Sequence, residues 1–334
     1  MSRPMTTIPT SRRRHMALLG AVLTSVLALT ACGGDDAADE GAAGSDTTTA
    51  DAVTIDHRYG STTLEGTPER IVSLDNQWLD VLVALDAPVV GAALDPSMGG
   101  ERFPWQDDLP AELVDVPVQN AIPYEAVAAL EPDLIVISWG VTDEQEYERL
   151  SAIAPTIPLL GDEEVDAWQD MATVAGEVLG RPDDASDLVA AVDAQVAELA
   201  AELPGLEGAT FALANIVPGD SINVVADPDD GASAIVGQLG MEIDPELVEQ
   251  AAGSAGRLQL SLERIDELDS DVLVVLTNGV EPSDIPGFEQ LPAARNGSVA
   301  VLDLADVSGL NTPSPLSVPY SLERIRPALE AAAG

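Results

Sequence analysis

The order of apolar and polar residues predicts an α/β protein of two lobes joined by one long helix. Three observations predict it. Short apolar runs alternate with amphipathic stretches, one amphipathic stretch near the middle is long enough to bridge two bodies, and one pattern of residues occurs on both sides of it.

RIVSL (70–74), PVVGAAL (88–94), DLIVIS (133–138) and TIPLL (156–160) are short and apolar, as strands buried on both faces of a parallel sheet should be. After Gly180 the segment PDDASDLVAAVDAQVAELAAELPG spaces Leu188, Val192, Val196, Leu199 and Leu203 by three or four residues. That spacing makes one apolar helical stripe, which ends before Pro204 and Gly205. About twenty helical residues reach about 30 Å. Strand signals then resume at ATFALANIV (209–217), SINVVA (221–226), DVLVVLT (271–277) and SVAVLD (298–303).

The repeated pattern is YEAVAALEPDLIVISW (124–139) over LERIDELDSDVLVVLT (262–277), without a gap. Glu125 meets Glu263, Leu130 meets Leu268, Asp133 meets Asp271 and Val136 meets Val274. Each copy reads as a short helix, a turn entered through an aspartate, and a buried strand. Two lobes on one plan follow, with the helix near 184–203 between them.

Composition narrows the partners. The chain has 58 acidic residues against 14 basic ones, all of them arginine. Four of those arginines precede Cys32 and every acidic residue follows it, so removal of the leader leaves ten against 58. Phosphate binding needs a basic surface, so nucleic acid is not an expected partner. The acidity suits a solvated, salt-adapted surface or attraction of a cationic ligand.

The sole cysteine, Cys32, ends an uncharged apolar run that follows Arg12, Arg13 and Arg14, the pattern of a secretory signal. Leu29, Thr30, Ala31 and Cys32 resemble a bacterial lipobox, which implies cleavage before Cys32 and lipidation of it. SRRRHM also approaches a twin-arginine signal, but His15 stands where an apolar residue is usual, so Sec and twin-arginine export both stay open. The expected organisation is a signal peptide (1–31), a lipidated cysteine with a disordered tether (32–52), an N-terminal lobe (53–182), the connecting helix (183–204) and a C-terminal lobe (205–334).

Ligands of open parallel sheets sit beyond the carboxyl ends of the strands. The residues leaving those ends are Asn76, Gln77 and Trp78, then Trp139, Asn215, and Thr277 with Asn278. Trp105 in ERFPWQDDLP joins them, as an expected exposed aromatic beside Arg102 and Phe103, suited to a large ligand that is partly apolar and partly anionic. A mature chain with one histidine, His57, does not suit direct binding of a transition metal or a histidine-based catalytic triad, and there is no glycine-rich phosphate loop.

With the lipobox, PERIVSLDNQWLDVLVALDAPVVG (68–91), PYEAVAALEPDLIVIS (123–138), APTIPLL (154–160), LSLERIDELDSDVLVV (260–275), LPAARNGSVAVLD (291–303) and LSVPYSLERIRPALEAA (316–332) resemble the solute-binding lipoproteins of iron-siderophore ABC importers. The resemblance implies a class III periplasmic-binding-protein fold, two Rossmann-like lobes joined by a single long α-helix. It implies a monomer anchored outside the cytoplasmic membrane through Cys32. No intrinsic cofactor and no enzymatic activity are expected. A ferric siderophore would be the transported ligand, held in the interlobe cleft by Trp78, Arg102, Trp105, Trp139, Asn215 and Asn278. Glu125 and Glu263 would dock onto the permease, whose ATPase supplies the energy.

Where many such proteins carry a cleft arginine, this chain has Asn215, and only Arg102 and Arg295 are expected near the cleft. Strongly anionic catecholate or citrate complexes are therefore disfavoured against hydroxamates. Haem or cobalamin, with Tyr124, Tyr147 or Tyr320 as a contact to haem iron, and a sensor or extracytoplasmic enzyme of the same fold, are the alternatives.

Overall fold

The computed structural model describes residues 52–94, 101–106, 109, 113–118, 121–138, 143–162 and 165–334. The expected signal peptide, Cys32, nearly all of the tether, and Trp139 lie outside the described residues.

A hairpin that the sequence reading missed comes first, β1 (Val53–His57) against β2 (Gly60–Leu64). There follow β3 (Ile71–Ser73), α1 (Asn76–Ala84), β4 (Val89–Ala92), β5 (Val114–Asp115), α2 (Tyr124–Ala129), β6 (Leu134–Val136), α3 (Glu144–Ser151), β7 (Thr156–Ile157) and α4 (Trp168–Val178). The strands β3 to β7 pair in parallel in the order β5-β4-β3-β6-β7. Alternation along them covers both faces. Ile71, Leu134 and Val136 join the main core, with Leu79 and Leu82 of α1 and Met171 of α4. Val72 and Ile135 join a smaller core with Val127 of α2 and Leu150 of α3.

The connector α5 (Pro182–Glu202) lies within two residues of the expected bounds at each end. Proline at the first position has its φ already set for a helix, and Asp183 and Asp184 favour the positive end of the dipole. It buries Ala185, Val192, Val196 and Leu199 and packs against α4. At that crossing Gly176 is needed for close approach, since a Cβ there would stand 2.5 Å from the Ala185 Cβ.

Beyond it lie β8 (Thr210–Val217), β9 (Ser221–Val225), α6 (Gly231–Gly237), β10 (Glu242–Ile243), α7 (Pro245–Ala251), β11 (Arg257–Ser261), β12 (Val272–Leu276), α8 (Pro292–Asn296), β13 (Val299–Leu302), α9 (Leu304–Asn311) and α10 (Ser317–Ala333). α10 also packs on α5, so the connector touches helices from both lobes. The second sheet runs β11-β9-β8-β12-β13, with β10 beside the start of β8. It is mixed. β8, β12 and β13 are parallel, but β9 returns antiparallel to β8 and β11 is antiparallel to β9. A three-residue Pro218–Asp220 turn is too short for the crossover a parallel neighbour needs.

The repeat is a structural one. Asp133 accepts from the backbone N–H groups of Glu69 (2.7 Å) and Arg70 (2.8 Å) just before β3, and Asp271 accepts from the Thr210 N–H (2.8 Å) that opens β8. Each aspartate ties the entrance of its own strand to that of the neighbouring one. The helix in front differs. In the first copy it is α2, whereas in the second it is a 3-10 segment, Leu262–Glu267, broken at Arg264. Some of the acidity also has local work, since Asp75, Asp143, Asp230, Asp244 and Asp303 accept N-terminal N–H bonds of α1, α3, α6, α7 and α9.

Candidate ligand site

One face of the second sheet builds a cavity. Register places Gln259, Asn223, Asn215, Leu276 and Leu302 in one row across β11, β9, β8, β12 and β13. Two residues along each strand, Arg257, Val225, Leu213 and Val274 form the next row on the same face. With Ala232 of α6 and Val307, Leu310 and Asn311 of α9, these rows enclose about 330 Å³. Asn215, Leu276 and Leu302 lie toward the carboxyl ends of the parallel strands, where an α/β sheet accepts ligands.

The polar row is oriented from within. Asn278, at φ +52° in the left-handed region that asparagine tolerates, donates from Nδ2 to Asn215 Oδ1 (2.7 Å) and to the Ile216 carbonyl (2.8 Å). Gln259 Nε2 donates to Asn223 Oδ1 (3.3 Å) and Ser221 Oγ (3.3 Å). With their oxygens occupied, Asn215 and Asn223 offer amide NH2 donors, and Gln259 offers its carbonyl. Asn215 and Asn278 are thus brought together, Asn215 on the cavity wall and Asn278 as its support.

The N-terminal lobe corrects two expectations. Trp78 is 1% exposed and belongs to the main core, because the third residue of α1 points back onto the sheet; it offers no surface to a ligand. Trp105 is half-buried rather than exposed, and it stacks at 4.5 Å on Phe103, which is 2% exposed. Trp105 packs at the junction of the lobes, 5.3 Å from the Tyr320 ring and against Gly309, where a Cβ would press on the indole at 3.0 Å. Arg102 is exposed and donates to the Leu109 carbonyl (3.0 Å).

Direct bonds join the lobes beside it. Asp80 of α1 accepts from Trp105 Nε1 (2.8 Å), Gln106 Nε2 (2.6 Å) and Ser314 Oγ (2.6 Å). Gln77 Nε2 donates to the Pro313 carbonyl (2.8 Å) and to that of Asp166 (3.1 Å). Burial pushes Asp80 up to about 6, against the hydrogen bonds of Gln106, Ser314 and Trp105, and burial likewise pushes Asp75 up to about 6. Both folded values lie above the unfolded one of about 3.9, so these groups favour the fold fully below about 4 and lose that contribution as pH rises through about 6. Their contribution to stability therefore rises as pH falls from 7 to 4. In Asp80→Asn about half of that rise should disappear in urea titrations, and an unchanged pH profile would remove Asp80 as a source.

Tyr320 donates to Asp306 Oδ1 (2.9 Å), and burial with that bond pushes its phenol up to about 12. Tyr147 OH lies 3.3 Å from both His57 Nε2 and Thr62 Oγ1. Among the described residues no three His, Cys, Asp or Glu side chains are grouped to hold a metal ion, and no helix is long and apolar enough to cross a membrane. Glu125 and Glu263 are both exposed in the first turns of the repeat segments. An open groove of about 750 Å³ runs beside Glu263 and includes Arg295, which therefore does not line the amide-walled cavity as the sequence suggested. The arginine that does is Arg257. Apolar runs do not reveal it, because RLQLS carries no clear strand signal, although its alternation of leucine with polar residues suits a half-covered edge strand.

The fold is that of class III periplasmic binding proteins, and the chain belongs to the periplasmic binding protein family, whose model matches residues 71–305. A probable siderophore-binding lipoprotein of Bacillus subtilis, YfiY, is 28% identical over 272 residues, 79% of this chain and 80% of its own. The Fe(3+)-citrate-binding protein YfmC of the same organism is 28% identical over 268 residues, 75% of this chain and 78% of its own. The crystal structure of PiaA from Streptococcus pneumoniae in complex with ferrichrome matches with a TM-score of 0.68 at 22% identity, covering 84% of this chain and 98% of that one. At that identity the likeness is one of fold.

Proposed function

We propose that this chain is an extracytoplasmic solute-binding lipoprotein that captures a ferric siderophore in the cleft between its lobes and delivers it to an ABC importer permease. The observation that carries the reading is the amide-walled cavity at the carboxyl ends of β8, β12 and β13, in a chain of the periplasmic binding protein family. Asn215, Asn223 and Gln259 would form the polar wall, and Arg102 and Trp139 remain candidates for the other lobe's share. Relatives named for siderophore and ferric citrate binding support an iron chelate as cargo. Cys32 would carry the lipid, and Glu125 and Glu263, exposed at equivalent places, would dock on the permease.

The test is a titration of the purified full chain with ferrichrome, ferrioxamine B, ferric citrate, haem, cobalamin and free ferric ion, followed by tryptophan fluorescence. Saturable binding of a ferric chelate, weakened at least about tenfold by Asn215→Leu, is the expected result. Binding of haem or cobalamin alone would move the function to that ligand. Silence across the panel in a folded sample would refute it.

A further inference from the structure

The cavity contains a cation that is already neutralised. Arg257 is the only charged residue among the described residues lining it, and its Nη2 donates to Asp230 Oδ2 at 2.6 Å. The Arg257 side chain is 58% exposed, but the Asp230 side chain is only 12% exposed. Asp230 is also fixed from its other side, because Oδ1 accepts the Ala232 N–H (3.1 Å) and caps α6. It cannot swing away from Arg257 without uncapping the helix that forms part of the same wall. The remaining polar groups of the wall are carboxamides, which bind oxygen-rich ligands without supplying charge.

We infer that Asp230 and Arg257 form a masking pair that sets the charge class of the cargo, making the cavity select ferric chelates without net negative charge, of the trihydroxamate kind, over anionic carboxylate chelates. This rests on the reading that the cavity holds part of the ferric chelate. An anionic chelate would have to compete with Asp230 for the guanidinium, and it would approach through the field of a strongly acidic protein. A neutral chelate uses the Asn215 and Asn223 donors and leaves the pair intact.

The experiment compares ferrichrome, ferrioxamine B and ferric citrate on the full chain, on Asp230→Asn, and on Asp230→Asn with Arg257→Gln. Asparagine caps a helix as well as aspartate does, so the single variant removes the charge and keeps the cap; thermal melting checks that it folds. Wild type should bind a hydroxamate chelate at least about a hundredfold tighter than ferric citrate. Asp230→Asn should tighten ferric citrate at least about tenfold, as one charge-assisted contact can. Ferrichrome affinity should stay within about threefold, and the double variant should lose the citrate gain. Equal wild-type affinity for citrate and hydroxamate, or no citrate gain in folded Asp230→Asn, overturns the masking pair while leaving siderophore capture standing. Failure of wild type to bind any of the three chelates overturns the functional reading itself.

Discussion

Charge reversal at both Glu125 and Glu263, to arginine, should abolish uptake of the ferric chelate by cells and leave the affinity of the purified protein for it unchanged. Both side chains are exposed, neither lines the amide-walled cavity, and each sits in the first turn of its repeat segment. The local contribution of Glu125 is a favourable charge at a helix start, about 0.3–1 kcal/mol, and Glu263 opens only a broken 3-10 segment, so the double variant should remain folded with a modestly lower melting temperature. Docking that uses one contact per lobe should lose transport at each single reversal, and the two losses should add to eliminate it in the pair, as for distant independent sites. Normal iron uptake by the double variant would remove the docking assignment, whereas lost chelate affinity would show that these residues act on the ligand instead.

Arg324→Leu should lower the free energy of unfolding at pH 7 by about 3 kcal/mol, toward the low end for breaking a buried ion pair because Arg324 itself is partly exposed. Asp306 is fully buried and takes two bonds from Arg324, Nε to Oδ1 and Nη2 to Oδ2, each 2.8 Å. Burial works against its charge, but the bonds from Arg324, the Asp303 N–H and Tyr320 outweigh burial and hold the carboxyl below its usual range. A folded value below the unfolded one means that the stabilisation is present above about pH 4 and is lost as pH falls through the lower folded value. The gap between wild type and variant in urea melts should therefore be widest at neutral pH and narrow toward pH 3. Because the pair ties α9 to α10, and α9 supplies Val307, Leu310 and Asn311 to the cavity, chelate affinity should fall with stability. An unchanged midpoint at pH 7 would show the pair to be dispensable.

Much of this architecture was legible in residue order. The expected runs from RIVSL to SVAVLD each contain a strand, the connector spans Pro182–Glu202, and the repeat placed Asp133 and Asp271 at equivalent strand entrances. Periodicity is local, and a strand buried on both faces needs only its own apolar side chains to declare itself. The site was less legible. Asn215 stands where the strand-end rule put it, but Trp78 obeys the same rule and is a core residue, because the rule locates a Cα and says nothing of which way a side chain points.

The sequence by itself determined the alternation of strand and helix, the two-lobe plan, the connector and the acidic balance, since each follows from the spacing or number of side chains along the chain. Only the tertiary structure decided that β9 and β11 run antiparallel, which lines up Asn215, Asn223 and Gln259 in one row and sets Arg257 beside Asp230. It also decided that Trp105 meets Asp80 and that Asp80 meets Ser314 across the lobes. The reason is register. Residues 27 or 234 positions apart become neighbours only when strands pair and lobes close, and no pattern along the chain encodes which pairs those will be.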